Sequence, residues 1–441
     1  MKDELINQLN APSEAQRLKA AKELKKLVDR KIISTPAREG YTNNHVHTKY
    51  SFSPYSPSKA VWMAVSAGLS TVGIIDHDAI NGAEEFIRAG EILGIPTTIG
   101  FEMRTDWSET PLNGRSINNP DQISNAYICA HGLAHTRIEK ADGYLSRIRR
   151  AREKRNRAMT DNLNGILRPL GIHIDYDKDV LAMSYAKYGG EVTERHLLFA
   201  LSKILIGKFG RGEPLVSFLK DKLNIEPDGE QAQYLADEKN EIYEYDLLNV
   251  LKSGFVSRIY EKAAADEAPP VKDAVEAIKA LGAIPTYCYL GDVDSSPTGD
   301  KKAQRFEDAY LDELFRVCRE IGFRAIAYMP SRNTIRQLER VMDLCRVYGF
   351  MQINGEDINQ PRQRFVCAQL KEPRFSHLAD STWALIGHEK AATEDINEAM
   401  FAGEPDTDER TINELIAKYK IIGLGETEGK RIENKRGQDL R

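Results

Sequence analysis

The chain has 441 residues, 41% of them hydrophobic, enough for a sizeable core and for two or three domains rather than one. Its 61 basic and 66 acidic residues leave a formal net charge of -5, so no global field favours nucleic acid or an anionic membrane. The amino terminus is charged rather than signal-like, and no run of about 18 apolar residues occurs, so a cytoplasmic globular protein is expected. Cys129, Cys288, Cys318, Cys345 and Cys367 lack Cys-x-x-Cys spacing and read as reduced, mostly buried thiols.

Residues 13–30 alternate apolar and charged positions at helical spacing and form a leading amphipathic helix. Strand-like "YTNNHVHT", helical "PSKAVWMAVSAG", strand-like "STVGIIDHD", helical "NGAEEFIRAGEILG" and strand-like "IPTTIGFEMR" then follow. Strand and helix in alternation imply parallel pairing through crossovers, hence an α/β sheet or barrel. From about residue 138 to 265 long charged helices replace this rhythm, which marks an inserted helical domain. Helix-then-strand units resume at "PPVKDAVEAIKALGAIPTYCYLGD" and run through "INGEDIN", completing the sheet. The stretch after residue 371 mixes Pro, Gly and charge, and its end, "GETEGKRIENKRGQDLR", is expected to be mobile.

The polar residues cluster by position. His45 and His47 lie two apart, so in an extended strand both imidazoles face one side and can converge on a metal. Asp76, His77 and Asp78 end the second strand, and Glu102 lies in the third, on the side where α/β enzymes collect their active sites. Mixed imidazole and carboxylate donors suit one or two ions of Zn, Mn or Fe better than Mg or Ca. Asp76 or Asp78 could orient the ligating histidines. His388 and Glu389 lack the second histidine of a zinc-protease helix, and neither a phosphate-binding glycine loop nor a serine nucleophile elbow is present.

With "NHVHTKYS", "GIIDHDAINGAEE" and "GIPTTIGFEM" as successive motifs, the chain resembles the polymerase and histidinol phosphatase (PHP) superfamily of metal-dependent phosphoesterases over about residues 41–365. The resemblance implies a distorted (β/α)7 barrel with an inserted α-helical domain. Its expected organisation is an N-terminal helical segment (1–38), a first barrel part (39–137), the insertion (138–265), a second barrel part (266–370) and a C-terminal extension (371–441). The family carries up to three metals. One is implied at His45, His47, Glu102 and Asp357, and a second at Glu102 with His131 and an Ala-His-Pro histidine. That last position falls on Tyr289. Of a third metal's ligands only His77 remains, because Phe52 stands at a usual aspartate and Asn359 at a usual histidine.

The implied activity is hydrolysis of a small phosphomonoester or phosphodiester, nucleotides included, by a metal-bound hydroxide, with His77 as an acid or phosphate contact and Asp76 supporting. Within the insertion, Arg152, Arg155 and Asn156 share one helical face at i, i+3 and i+4 and could grip a phosphate, although a solvated helix face fits the same spacing. Arg195 and His196 are further candidates for the substrate pocket. No membrane partner is expected, and nucleic acid is disfavoured because no aromatic platform accompanies the arginines. Two alternatives stand beside this reading: a catalytically impaired protein of this fold that binds a phosphorylated ligand, and an amidohydrolase-like metal enzyme.

Overall fold

The structure is a computed structural model in which residues 1–119, 121–295, 302–403 and 406–425 are described. The expectation of a mobile tail falls on residues 426–441, outside the described residues. After helices α1 (Lys2–Gln8) and α2 (Glu14–Asp29), strand β1 (Thr42–Val46) leads through α3 (Pro57–Ser66) to β2 (Thr71–His77), and α4 (Ala83–Leu93) leads to β3 (Thr97–Asp106). β1, β2 and β3 pair in parallel, as the strand and helix alternation predicts. Ser56 caps α3 by accepting from the Lys59 N–H, and Pro57 follows at the first turn, where its missing N–H costs nothing.

β4 (Asn125–His131) breaks the pattern by running antiparallel to β3. Helices α5 (Ile138–Leu167), α6 (Glu194–Phe209), α7 (Glu213–Leu223), α8 (Gly229–Ala236) and α9 (Tyr243–Ile259) then intervene before α10 (Val271–Ala280) and β5 (Ile284–Cys288), which is again antiparallel to β4. A short ribbon of β6 (Val293–Ser295) and β7 (Lys302–Gln304) follows. The sheet is completed by α11 (Leu311–Ile321), β8 (Ala325–Tyr328), α12 (Ile335–Tyr348) and β9 (Met351–Asn354), with β5, β8 and β9 parallel. The order β1-β2-β3-β4-β5-β8-β9 curls into a nearly closed barrel. Closure comes just after β9, where Ile358 pairs with Val46. The His47 N–H donates to the Ile358 carbonyl at 2.9 Å and the Ile358 N–H to the His45 carbonyl at 3.1 Å.

Three apolar clusters hold this frame. The largest packs the sheet against α2, α3, α4, α10, α11 and α12. A second lies within α5 to α9, and Phe52, from the loop after β1, joins it. The third packs β5, β8 and β9 against α13 (Ser376–Glu394) and α14 (Glu409–Leu424). Much of the carboxyl-terminal stretch is therefore helical and packed. Gly387 and Gly423 lie inside α13 and α14, where the two helices pack closely, and composition alone could not reveal the burial of Leu385, Ile412 and Tyr419.

The leading helix docks through charge as well as apolar contact. Arg17 reaches Glu85 on α4 with Nε at 2.8 Å and Nη2 at 2.5 Å, and Ser58 Oγ donates to the same carboxylate at 2.6 Å. Both charged side chains are buried, so removing one leaves the other without its counter-ion in low dielectric. Glu85→Ala is expected to cost about 3–5 kcal/mol of stability in urea denaturation. A loss below about 1 kcal/mol, the range of surface pairs, would show that the pair is not held out of water.

Candidate metal centre

Four chain segments meet where the barrel closes. β1 and the residue after it supply His45 and His47, β2 ends in His77, β3 carries Glu102, and the closing segment brings Asp357. His47 Nε2 lies 3.2 Å from Asp357 Oδ1, His77 Nδ1 lies 2.8 Å from Glu102 Oε2, and His45 Nε2 lies 4.0 Å from the same Glu102 oxygen. The ligand atoms of His45, His47 and Asp357 lie within 4.8 Å of one another, as do those of His47, His77 and Glu102. Asp357 reaches this place because Gly355 presses on the backbone and Cβ of His45. A Cβ on residue 355 would come within 2.6 Å of His45 Cβ.

The donor set fits a divalent cation. His47 Nε2 and His77 Nδ1 are buried, at hydrogen-bond distance from carboxylates but without a hydrogen-bond partner of acceptable geometry. Lone pairs of nitrogen and oxygen thus converge with nothing between them to share, an arrangement that a cation resolves. Burial would raise the Glu102 carboxyl, but the facing His77, with His45 and His47, outweighs it and holds the group at about 2. Burial likewise opposes ionisation of Asp357, and the His47 contact overcomes it, so this carboxyl lies well below the ordinary range. Burial depresses His45 and keeps its imidazole neutral, as ligation requires.

A chain of hydrogen bonds fixes the ring of His47. Asp76 accepts from the Thr48 N–H at 2.7 Å, from Thr48 Oγ1 at 2.6 Å and from Ser51 Oγ at 2.6 Å. Because Ser51 gives its proton to Asp76, its oxygen is left to accept from His47 Nδ1, 3.3 Å away. A bound cation would take the Nε2 lone pair and leave the proton on Nδ1, whereas the Asp357 contact by itself raises the His47 imidazole above its ordinary value against the effect of burial. Asp76 therefore orients His47 through Ser51 and does not itself face the cluster.

Several sequence expectations are corrected here. Because β4 is antiparallel, its carboxyl end lies at the opposite end of the barrel from those of its neighbours, and Glu102 stands beside Cys129 while His131 stands beside Gly100. His131 is buried one level below the cluster and outside the ligand-spaced groups. On β5 the residue facing the cluster is Cys288, whose Sγ lies 3.2 Å from Cys129 Sγ. Tyr289 points elsewhere and donates to Asp308 at 2.6 Å. His45, Cys129 and Cys288 form a third set of ligand-spaced atoms. The reading of the cysteines as reduced, mostly buried thiols agrees with the structure but gave Cys129 and Cys288 no place at the cluster; the signal available was their position on two adjoining strands.

The altered positions have structural partners. Phe52 packs against His196, Phe199 and Tyr245 with ring centroids 5.0, 5.7 and 6.1 Å away, and Asn359 donates to Asp357 at 2.7 Å while accepting from Arg195 at 3.0 Å. Arg152 is fully buried and pairs with Asp78 at 2.7 Å and Glu194 at 3.3 Å, and Arg155 pairs with Glu267 at 2.7 Å. These guanidiniums anchor α5 to the barrel and are not free to hold a substrate. Asn156 donates to the Val192 carbonyl at 2.5 Å, and His196 caps α6 by accepting from the Thr193 N–H at 3.1 Å. Asp78, with φ of +48°, turns away from the cluster toward Arg152. Of the five substrate-binding candidates, only Arg195 reaches the centre.

The profile of the PHP domain matches residues 43–314, more than half of the chain. The chain belongs to the PHP domain family. Within it, this PHP domain is 37% identical over 76 residues to an error-prone DNA polymerase of Cutibacterium acnes, an alignment covering 17% of this chain and 7% of the polymerase. Among solved structures it is similar to a provisionally assigned metal-dependent phosphoesterase of Bifidobacterium adolescentis, with 18% identity, a TM-score of 0.49, and 87% and 97% of the two chains covered. It is also similar to an amidohydrolase of Chromobacterium violaceum, solved with bound sulfate and no metal, with 16% identity, a TM-score of 0.47, and 77% and 96% covered. No described helix of this PHP domain is long and apolar enough to cross a membrane.

The Ser51 link is open to a direct test. Ser51→Ala removes the acceptor that fixes His47 without touching a ligand, so divalent metal affinity, measured by competition with a chromophoric chelator, is expected to fall about 10–100-fold. The circular dichroism spectrum should be unchanged. An unchanged affinity would show that His47 needs no such support.

Proposed function

We propose that this PHP domain is a metal-dependent hydrolase acting on a small phosphate ester, either a phosphomonoester or a small phosphodiester, with nucleotides among the candidates. The observation that carries the substrate class is Arg195. Its Nη1 is held at 3.0 Å by the neutral amide oxygen of Asn359, it makes no salt bridge among the described residues, and its charge acts on Asp357 beside the imidazole cluster. A planar, half-buried cation at that place suits the forked recognition of phosphoryl oxygens.

His45, His47, Asp357 and Glu102 are the residues that would hold the ion or ions, with His77 kept for proton transfer. A divalent cation there supplies Lewis acidity, polarising a phosphoryl oxygen and lowering the pKa of a water. The chain's own residues do the rest. Arg195 orients the phosphoryl group and takes up negative charge as it develops. His77, whose side chain is 24% exposed, is the imidazole placed to pass a proton to the departing oxygen. Asp76 is a positioning residue, acting on His47 through Ser51. The loop that holds Ser51 also carries Phe52, so the packing of the helical domain on Phe52 steadies the same segment.

A panel of aryl phosphates, aryl phosphodiesters and nucleoside monophosphates, assayed with manganese, zinc or ferrous iron, tests this reading. Turnover that a chelator abolishes is expected, and Arg195→Ala should lower kcat/KM about 10–100-fold, the loss of a hydrogen bond to a charged group. Binding of phosphate esters without turnover would favour the impaired, ligand-binding alternative. Cleavage of amides but not of phosphate esters would favour the amidohydrolase-like one.

A further inference from the structure

Neither the proposed ion chemistry nor the apolar core accounts for why two thiols face each other inside the barrel beside His45. Cys129 Sγ and Cys288 Sγ lie 3.2 Å apart, on adjoining strands whose register pairs Cys129 with Thr286, two residues from Cys288. Both belong to a ligand-spaced group with His45, itself one of the residues assigned above to the metal. Cys129 is fully buried and Cys288 is partly exposed. The pair therefore joins an accessible sulfur to a shielded one, the arrangement of an attacked and a resolving cysteine. The other three cysteines stand apart from it: Cys318 and Cys345 are buried in the main core and Cys367 lies in the loop after β9.

We propose that Cys129 and Cys288 form a reversible disulfide that switches the metal centre between a loaded and an unloaded state. The inference rests on the metal-dependent reading of the site. In the reduced state two sulfur donors stand beside His45. Oxidation by a hydroperoxide proceeds in two balanced steps. The Cys288 sulfur attacks the peroxide oxygen, giving Cys288 sulfenic acid with one equivalent of water (or alcohol) as leaving group. The Cys129 sulfur then displaces the sulfenic oxygen as a second water, and the S–S bond forms. Two thiols lose two electrons and two protons, and the peroxide is reduced. The sulfurs move closer by about 1.2 Å, since a disulfide bond is about 2.05 Å long, and both cease to be thiolate donors. A dithiol reductant reverses the change.

The test uses the full chain, reduced, loaded with zinc, and freed of excess metal. It is treated with hydrogen peroxide and then divided for thiol counting in denaturant, peptide mapping of the alkylated cysteines, and elemental analysis. The expected result is a fall from five titratable thiols to three, a Cys129–Cys288 cross-linked peptide, and loss of at least half of the bound zinc, all restored by dithiothreitol and zinc. Cys129→Ser and Cys288→Ser, each compared with its own untreated sample, should lose no zinc to the peroxide treatment, whatever their starting zinc content. Should one variant fail to fold, the wild-type peptide map still decides. Five thiols after treatment, or cross-linking that involves Cys318, Cys345 or Cys367 instead, would overturn the proposal. A Cys129–Cys288 disulfide with all zinc retained would overturn the switch and leave the metal reading standing. Reduced protein that binds no zinc, manganese or iron at all would instead refute the metal reading, and the switch with it.

Discussion

Barrel closure is the constraint on which the site depends. The backbone of Ile358 pairs with β1 on both sides of Val46, and this one pairing delivers Asp357 to His47 across more than 300 residues of chain. Its geometry is enforced sterically, since Gly355 leaves no space for a side chain against His45. The ordering entropy of the loop after β9 is offset by these two main-chain hydrogen bonds and by burial of Ile358. α13 supports the same seam from outside, where Asn44 donates to Thr382 and to the Asn354 carbonyl, both at 2.9 Å.

Electrostatics divides the centre into two kinds of charge. Around the imidazole cluster, carboxylates face ring nitrogens that lack hydrogen-bond partners, so the local charge is incomplete without a cation. A few residues away, Arg104, Arg152 and Arg155 meet Asp78, Glu194 and Glu267 in a buried network that is internally compensated. Such a network contributes little net stability compared with apolar packing. Its geometric effect is to fix α5, and through Glu194 the start of α6, against the end of β2. That in turn places Arg195 at the rim. α5 and α6 thus shape the site through one half-buried cation and several buried ones.

Much of this was legible in the chain itself. The 3.6-residue and 2-residue periods mark the leading helix and the first three strands, and the spacing of His45, His47, His77 and Glu102 places donors at successive strand ends. What could not be read was direction and register. Nothing in "NAYICAHGL" says that β4 runs antiparallel, and that reversal moves His131 down the barrel and raises Cys129 to the level of Glu102. A one-residue difference on β5 exchanges Tyr289 for Cys288, because neighbouring strand residues face opposite sides. Spacing also put Arg152, Arg155 and Asn156 on one helical face, as the structure has them, but the face looks onto acidic residues distant in sequence. Phe52 illustrates the same limit, since an aromatic residue in place of a carboxylate says that a ligand is absent and not that another domain packs there.

The most direct measurement is the metal content per chain of protein reconstituted with manganese or zinc and freed of excess ion, comparing wild type with Asp357→Ala and His47→Ala. The expected result is at least one tightly held ion in the wild type and a clear loss in both variants, with the fold intact by circular dichroism. Wild-type protein that retains no ion under any reconstitution would contradict the assignment of the convergent nitrogens and carboxylates to a metal.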